Sequence, residues 1–183
     1  MYKKLFITLV FSSLLLAAKA PLQDYKVSNG SISFRSDAPL ELIKAQSYEL
    51  KGVVIPEKKQ FAFIIAVKTF KGFNSPLQQE HFNENYLESN KYPTASFEGK
   101  IIEDIDLSKD GVFEVRSKGN LSIHGVTQER IIKSELTIKN KNISIRSNFT
   151  VLLADHNIPI PKVVHEKLAS EIKVEVKADL AIK

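Results

Sequence analysis

The four histidines, His81, His124, His156 and His165, are the side chains of this sequence with the widest range of chemistry. An imidazole can transfer a proton near neutral pH or bind a zinc ion. Zinc sites favour close spacings such as H-x-x-x-H, or a histidine and an acid on one face of an element. No two of these histidines have such a spacing, and two prolines separate His156 from His165. The sequence therefore predicts no metal site.

Three serines, Ser117, Ser134 and Ser147, are the candidate nucleophiles. A serine nucleophile needs a histidine within hydrogen-bonding reach, and in many hydrolases it lies in a G-x-S-x-G turn. None of the three lies in such a turn, and the alternation of the strands places no histidine on their face. The adjacent Asp155 and His156 precede the loop "NIPIP", where a solvated position is expected. The sequence therefore predicts a protein that is not an enzyme and has no cofactor.

His124 lies in "LSIHGVT", at the end of one alternating run and the start of the next. It has the parity of Asn120 and Ser122, which places it on the outer, polar row of its strand. Gly125 follows it and makes a chain reversal easy. The pattern favours a histidine that is solvated or bonded within the turn.

One segment, Pro76 to Ser89, has a helical pattern: it begins with proline and spaces its apolar residues three to five apart. Tyr92-Pro93 ends it. This helix, about residues 76–89, is expected either to cap the mouth of a barrel or to cover the outside of a strand. The segment 162–168 is compatible with a second, short helical turn.

The elements that must position these residues are strands. The run "EIKVEVKADLAIK", 171–183, has an apolar residue at every second position, which indicates a strand with one dry face. Short turns separate the runs, so the strands are predicted to be antiparallel. About eight strands, several of them long, favour one closed barrel in an all-β domain. The other runs are "NGSISFRS", with a bulge or turn at Asn29-Gly30, "YELKGVVI", "FAFIIAVKTF", "TASFEGKII", "VFEVRSKGNLSI", "RIIKSELTI" and "ISIRSNFTVLL".

The inward rows of these strands carry a small residue near their middle. A two-residue loop at Asn140-Lys141 pairs Ser134 with Ser147, and a four-residue loop at 125–128 pairs Gly119 with Ser134. Protein cores resist gaps of even one methylene, so a row of small residues predicts a cavity, unless large residues of the opposite wall fill it. The candidate lining residues are Phe97, Phe113, Val115, Ser117, Gly119, Leu121, Ile132, Ser134, Leu136, Ile145, Ser147, Phe149, Val174 and Val176.

Residues 1–20 have the layout of a secretory signal peptide: a basic start, an uncharged apolar run and "AKA". We therefore expect an exported protein with one domain, residues 21–183. Residues 1–20 contain three lysines and no acid, so the domain is less basic than the whole chain, whose net charge is +5. The remaining charge is mixed, which predicts no nucleic-acid binding. Without cysteine the domain has no disulfides.

Three motifs together resemble the YceI family of polyisoprenoid-binding proteins. They are "KYPTASF" with Tyr92 and Pro93, "GNLSIHGVT" with Gly119 and His124, and "DHNIPIP" beginning at Asp155. The resemblance implies a lipocalin-like barrel, exported to the periplasm, that holds a long isoprenoid lipid in an apolar tunnel without catalysis. The N-terminal third departs from the family pattern, because "NGSISFRS" keeps a serine and a phenylalanine but lacks the family's histidine.

Three hypotheses follow. The first is the binding, storage or transport of a long apolar lipid, of polyisoprenoid or isoprenoid quinone type, in the barrel interior. The second is an exported structural or interaction barrel with a filled core and no lipid ligand. The third is an enzyme, which would need an inward-facing acid and base that the pattern does not supply. We favour the first; transient contact with a membrane is left open, and protein partners are not predicted.

Overall fold

The computed structural model describes residues 23–183, and the predicted signal peptide, residues 1–20, lies outside them. Strands dominate the described residues. One short α-helix, α1 (Pro76–His81), continues into a π-helical turn, Phe82–Tyr86. The strands are β1 (Tyr25–Asp37), β2 (Leu42–Ser47), β3 (Lys51–Ile55), β4 (Gln60–Ala66), β5 (Thr94–Ile101), β6 (Gly111–Ile123), β7 (Val126–Lys139), β8 (Asn142–Leu152) and β9 (Glu171–Ile182).

The strands close into an antiparallel barrel because β1 pairs on both of its edges. One edge pairs with β9 along most of its length, and the other pairs with β3 at its start, where Tyr25 lies opposite Val54. The closed barrel therefore contains eight strands, β1 and β3 to β9. The extra strand β2 pairs with the second half of β1, with Ile32 opposite Ser47. The predicted eight-stranded antiparallel barrel is confirmed, with one strand added.

Alternation along β9 gives the barrel its two faces. Ile172, Ala178 and Leu180 are buried, whereas Lys173 and Lys177 between them are exposed. A register shift between Val27 and Asn29 of β1, opposite β9, forms the bulge predicted from the broken alternation in this part of the chain.

The turn between β6 and β7 is shorter than predicted. Only His124 and Gly125 form it, both in the left-handed region with φ of 51° and 72°, and Ile123 pairs with Val126. Two consecutive positive φ angles define the mirror-image turn that matches the right-handed twist of a hairpin. The predicted four-residue loop is wrong, as is the register that it implied.

The corrected register separates the predicted row of small residues. Ser134 does pair with Ser147, across the two-residue turn that was predicted for β7 and β8. Ser134 lies opposite Val115 on its other side, whereas Gly119 lies opposite Arg130. Gly119 is therefore not part of a small-residue row with Ser134.

Gly119 instead allows two strands to approach closely. It lies directly opposite Gly99 of β5. A Cβ atom at Gly119 would lie 2.2 Å from the backbone oxygen of Glu98, and one at Gly99 would lie 2.1 Å from that of Lys118. Real Cβ atoms do not approach backbone oxygens so closely, so only glycine fits either position without moving the strands apart.

One end of the barrel is sealed by packed apolar side chains. Ile138, Ile143 and Leu180 are almost completely buried there. The loop 102–110 adds Leu107 to the same cluster. We call this the sealed end.

An ion pair fixes the loop of the sealed end. The Glu103 carboxylate accepts hydrogen bonds from the backbone N–H of Arg116 at 2.6 Å and from its Nε at 2.7 Å. The bond from the Arg116 side chain is the main reason that the pKa of Glu103 lies below its usual value. A lowered pKa contributes stability above the pKa that the group has in the unfolded chain, and this is lost as pH falls through the folded-state pKa. Acid should therefore loosen this loop.

Candidate functional site

The interior of the barrel contains a cavity of about 260 Å³. All nine described strands contribute inward-facing side chains to its wall. Almost all of these side chains are aliphatic or aromatic, and no charged side chain among the described residues lines it. Such a wall offers dispersion contacts and burial from water, and it gives an ionic group no partner.

The cavity brings together twelve of the fourteen predicted lining residues. Of the other two, Phe113 packs against the cluster of the sealed end, and Gly119 lies against the backbone of β5. Binding of a ligand by the lining residues stays a prediction. The residues at the cavity are Phe97, Val115, Ser117, Leu121, Ile132, Ser134, Leu136, Ile145, Ser147, Phe149, Val174 and Val176.

The wall is not uniformly packed. Val115, Leu121 and Leu136, on β6 and β7, are buried by their neighbours. Inward-facing Phe149 of β8 and Val174 of β9 are only half-buried. Phe34 of β1 and Phe97 of β5 also line the cavity and are half-buried as well, so open space borders several strands of the wall.

The serines at the cavity include two that are bonded to the backbone. Ser147 Oγ donates to the carbonyl oxygen of Lys133 at 2.7 Å, within the β7–β8 pair. Ser36 Oγ accepts from the N–H of Ala169 at 2.9 Å and thereby ties β1 to the connection before β9. These hydroxyls hold elements together, which is a structural use and not that of a nucleophile.

The helical segment closes the other end of the barrel. We call Pro76–Tyr86 the lid, and the end that it covers the lid end. Ser75 caps α1 by accepting a hydrogen bond from the N–H of Gln78 at 3.1 Å, and Pro76 occupies the first turn. Gln78, Phe82 and Tyr86 of the lid line the cavity. Of the two predicted positions for this helix, the structure shows the one over the mouth.

Three phenylalanines lie beneath the lid and form a cluster with Phe82, which belongs to it. Phe82 stacks on Phe34 of β1, with ring centroids 5.3 Å apart, and packs against Phe73 at 5.0 Å. Phe70 lies 5.4 Å from Phe34. Offset and tilted aromatic pairs add stabilisation beyond the area that they bury, so these rings hold the lid to the barrel.

Sequence reasoning missed most of this cluster. Phe34, Phe70 and Phe73 all line the cavity, but none was predicted to do so. Phe70 and Phe73 follow β4 in a segment without period-two alternation, and Phe34 follows the bulge in β1. The available signal was the density of aromatic residues in "FKGF", which alternation does not detect.

Tyr86 brings a polar atom to the rim of the cavity. Burial raises the pKa of its phenol above the usual value of 10.0. The phenol is neutral at physiological pH, and the raised pKa extends its neutral range further, so Tyr86 adds a hydroxyl dipole but no charge to a mainly apolar rim.

His124 joins three connections at the lid end. Its Nδ1 donates to the carbonyl oxygen of His156 at 3.0 Å, and its Nε2 lies 2.7 Å from a carboxylate oxygen of Glu88. Tyr92 packs edge-on against the ring at 4.8 Å. Only 10% of the side chain is exposed. The prediction of a histidine that is solvated or bonded within the turn is wrong, because the groups that bury and bond it come from distant parts of the chain.

His156 also stabilises this junction at the lid end. It is completely buried, and its Nδ1 donates to the carbonyl oxygen of Val126 at 3.1 Å. It was predicted to be a solvated loop residue, which is also wrong. The two histidines bond in opposite directions: His124 reaches the connection after β8, and His156 reaches the start of β7.

Substituting His124 by alanine should destabilise the protein by about 2–3 kcal/mol, because two hydrogen bonds and an aromatic contact are lost. At about 2–4 °C per kcal/mol, the midpoint of thermal unfolding should fall by roughly 5–10 °C. Circular dichroism measures this midpoint. Exposed His165 provides the control, since His165→Ala should change it little. Equal midpoints for the two variants would contradict the role of His124 in the junction.

The outer surface combines acids and bases in pairs. Asp37 lies 2.9 Å from both Lys173 and Arg35, and the hydrogen bond from Lys173 is the main reason that its pKa is lowered. Lys59 bonds Asp104 at 2.7 Å and lowers its pKa in the same way. Among residues 23–183, no helix has both the length and the apolar character needed to cross a bilayer.

A closed antiparallel barrel of eight strands, with an apolar interior cavity and a helical lid, defines a lipocalin-like protein. A YceI-like domain model matches residues 27–180. The chain therefore belongs to the YceI-like family, as its three motifs predicted. No curated protein matches it.

Solved structures share this fold. A polyisoprenoid binding domain from Saccharophagus degradans, implicated in plant cell wall breakdown, is 12% identical with a TM-score of 0.75, over 88% of this chain and 100% of that one. BcnA from Burkholderia cenocepacia is also 12% identical, with a TM-score of 0.68 over 82% and 95%. The YCEI protein of Campylobacter jejuni is 16% identical, with a TM-score of 0.54 over 100% and 90%. At these identities the likeness is one of fold.

Proposed function

We propose that this protein binds a long apolar lipid, of polyisoprenoid or isoprenoid quinone type, in the barrel interior, and stores or transports it without catalysis. The observation that carries the proposal is the interior cavity of about 260 Å³, whose wall is mainly apolar and has no charged side chain among residues 23–183. A site of this kind selects a ligand by length and shape, since few polar groups are placed to select it by charge.

Burial supplies the binding energy. Each buried methylene contributes about 0.8 kcal/mol, so a five-carbon isoprene unit contributes roughly 4 kcal/mol before the costs of ordering. The loss of ligand freedom and of rotational entropy offsets much of this. Affinity should therefore increase with the number of isoprene units until the cavity is filled.

Family membership supports the same ligand class. The similar domain from Saccharophagus degradans is described as polyisoprenoid binding. We extend this to the present chain because the apolar wall found here suits such a ligand. The described part of the chain places no charged side chain at that wall, which also supports a binding role over catalysis, since general acid–base chemistry needs a titratable group at the ligand.

The site of action proposed here is outside the cytoplasm. Residues 1–20 have the layout of a signal peptide, which supports export and, with the family resemblance, a periplasmic location. A barrel without cysteine folds independently of disulfide formation in that compartment.

Delipidated protein is expected to take up an added isoprenoid lipid and to become more stable. At a free ligand concentration of about one hundred times Kd, the gain is about 2.7 kcal/mol, or roughly 5–10 °C in the unfolding midpoint. Scanning calorimetry measures the midpoint, and mass spectrometry of an organic extract measures the bound lipid. A straight-chain alcohol too short to fill the cavity is the control ligand. Protein that takes up no isoprenoid and shows no shift would instead favour a structural or interaction barrel.

A further inference from the structure

Three exposed apolar side chains surround the lid end. Leu40 lies in the β1–β2 turn, Leu77 in α1, and Val163 in the connection between β8 and β9. Their exposed fractions are 67%, 58% and 88%. Single exposed apolar residues are common on protein surfaces, so these three indicate a site only if they share one surface.

Hydrogen bonds join the three elements that carry them. The backbone N–H of Leu40 donates to the carbonyl oxygen of Glu166 at 2.9 Å, which fixes the β1–β2 turn to the connection that carries Val163. On the other side, Gln78 Nε2 donates to a carboxylate oxygen of Glu41 at 2.9 Å, which fixes the same turn to α1. The β1–β2 turn therefore lies between the other two elements, and the three apolar side chains belong to one surface.

This surface adjoins the cavity. Ser36 and Ile43, on either side of the β1–β2 turn, line the cavity, as do Gln78 of the lid and Leu168 of the connection. A lipid that entered or left between the lid and the turn would pass among the exposed apolar side chains.

The charges near this surface are mixed. Lys162 and Lys167 are exposed on either side of Val163. The Glu41 carboxylate is already bonded to Gln78, whereas Glu80 and Glu84 of the lid are exposed. Glu166, which precedes Lys167, is exposed as well, so acids and bases are interspersed around this surface. Burial of the apolar side chains is therefore the main source of attraction to a bilayer.

We propose that Leu40, Leu77 and Val163 insert into the interfacial layer of a lipid bilayer and so place the lid end against the membrane. Docking to a membrane does not depend on what the cavity holds. The purpose of docking, which is to load or release a lipid, rests on the proposed function. It gives a membrane-derived ligand a short path that avoids water.

Co-sedimentation with vesicles of phosphatidylcholine and phosphatidylglycerol tests the docking. The double variant Leu40→Asp/Val163→Asp should bind vesicles at least tenfold more weakly than the parent protein. The matched control is Val112→Asp/Ile131→Asp, which changes two apolar residues of β6 and β7 that are 64% and 57% exposed. The control should bind like the parent. A parent protein that does not bind vesicles, or equal losses in both variants, would overturn the proposal and point to a protein partner for this surface.

Fluorescence gives a second test that does not depend on the stability of the double variant. The chain contains no tryptophan, so a single introduced indole reports its own surroundings. Emission of Val163→Trp should shift to shorter wavelength when vesicles are added, and emission of Val112→Trp should not. An unshifted emission of Val163→Trp would contradict insertion.

Uptake of detergent-dispersed isoprenoid, measured without vesicles, separates the two hypotheses. Docking without uptake refutes only the proposed function, and uptake without docking refutes only the membrane surface.

Discussion

Replacing Ser134 by phenylalanine is expected to weaken isoprenoid binding by about tenfold to a hundredfold while leaving the barrel folded. Ser134 lies in the middle of β7, between Val115 of β6 and Ser147 of β8, and it lines the cavity. Since the cavity measures about 260 Å³, a phenyl ring at this position would displace part of the ligand. The affinity falls because each isoprene unit that the ring excludes loses roughly 4 kcal/mol of burial energy, part of which is offset by the smaller cost of ordering the ligand.

The neighbouring residue supplies the control for this experiment. Glu135 is exposed on the outer face of the same strand, so Glu135→Phe adds the same ring without reaching the cavity. Titration with a fluorescent isoprenoid analogue measures both affinities, and circular dichroism verifies both folds. If folded Ser134→Phe bound the lipid as tightly as Glu135→Phe does, the ligand would have to lie outside the part of the cavity that β7 borders.

Substituting Gly119 by valine is expected to be the most destabilising single change, at about 3–5 kcal/mol. The new Cβ would lie 2.2 Å from the backbone oxygen of Glu98, a contact that no side-chain rotation relieves. Strand β6 cannot shift away from β5, because it is paired with β7 along its whole length from Gly111 to Ile123. Separation of β5 from β6 would open the barrel at this point.

Urea unfolding measures this effect through the transition midpoint and its slope. Asn120→Val is the control, because it introduces valine at the next, exposed position of β6. It should change the free energy of unfolding by less than about 0.5 kcal/mol. Similar midpoints for the two variants would refute the close approach of β5 and β6. Gly99→Val, on the opposite strand, should reproduce the loss because its Cβ would lie 2.1 Å from the oxygen of Lys118.

Period-two alternation predicted most of the barrel because burial on one face constrains every second residue. In β9 this held from Ile172 to Ile182. Alternation could not determine the length of the turn at His124. The two-residue and four-residue turns pair different residues of β6 and β7 but keep the same residues inside, so alternation fits both equally well. The residue that distinguished them was His124 itself, since histidine tolerates a left-handed conformation better than most residues.

The lid end was less predictable for a different reason. Its contacts join residues that are far apart in sequence, such as Glu88 with His124 and His124 with His156. No local pattern records such pairs, so His156 was expected in solvent and His124 was expected to be solvated or bonded within its turn. The aromatic cluster around Phe82 was missed in part because the segment after β4 has no regular period.

The closure of the barrel through β1 and β9 has a consequence for how the chain folds. These strands come from opposite ends of the domain, and Tyr25 must find Ile182 before the wall is complete. Pairings between such distant residues carry a large loop-closure entropy and form slowly. Until then β1 and β9 have unpaired backbone groups, and the apolar interior is open. We therefore expect aggregation during refolding to depend steeply on protein concentration, and to stop once the first and last strands have met.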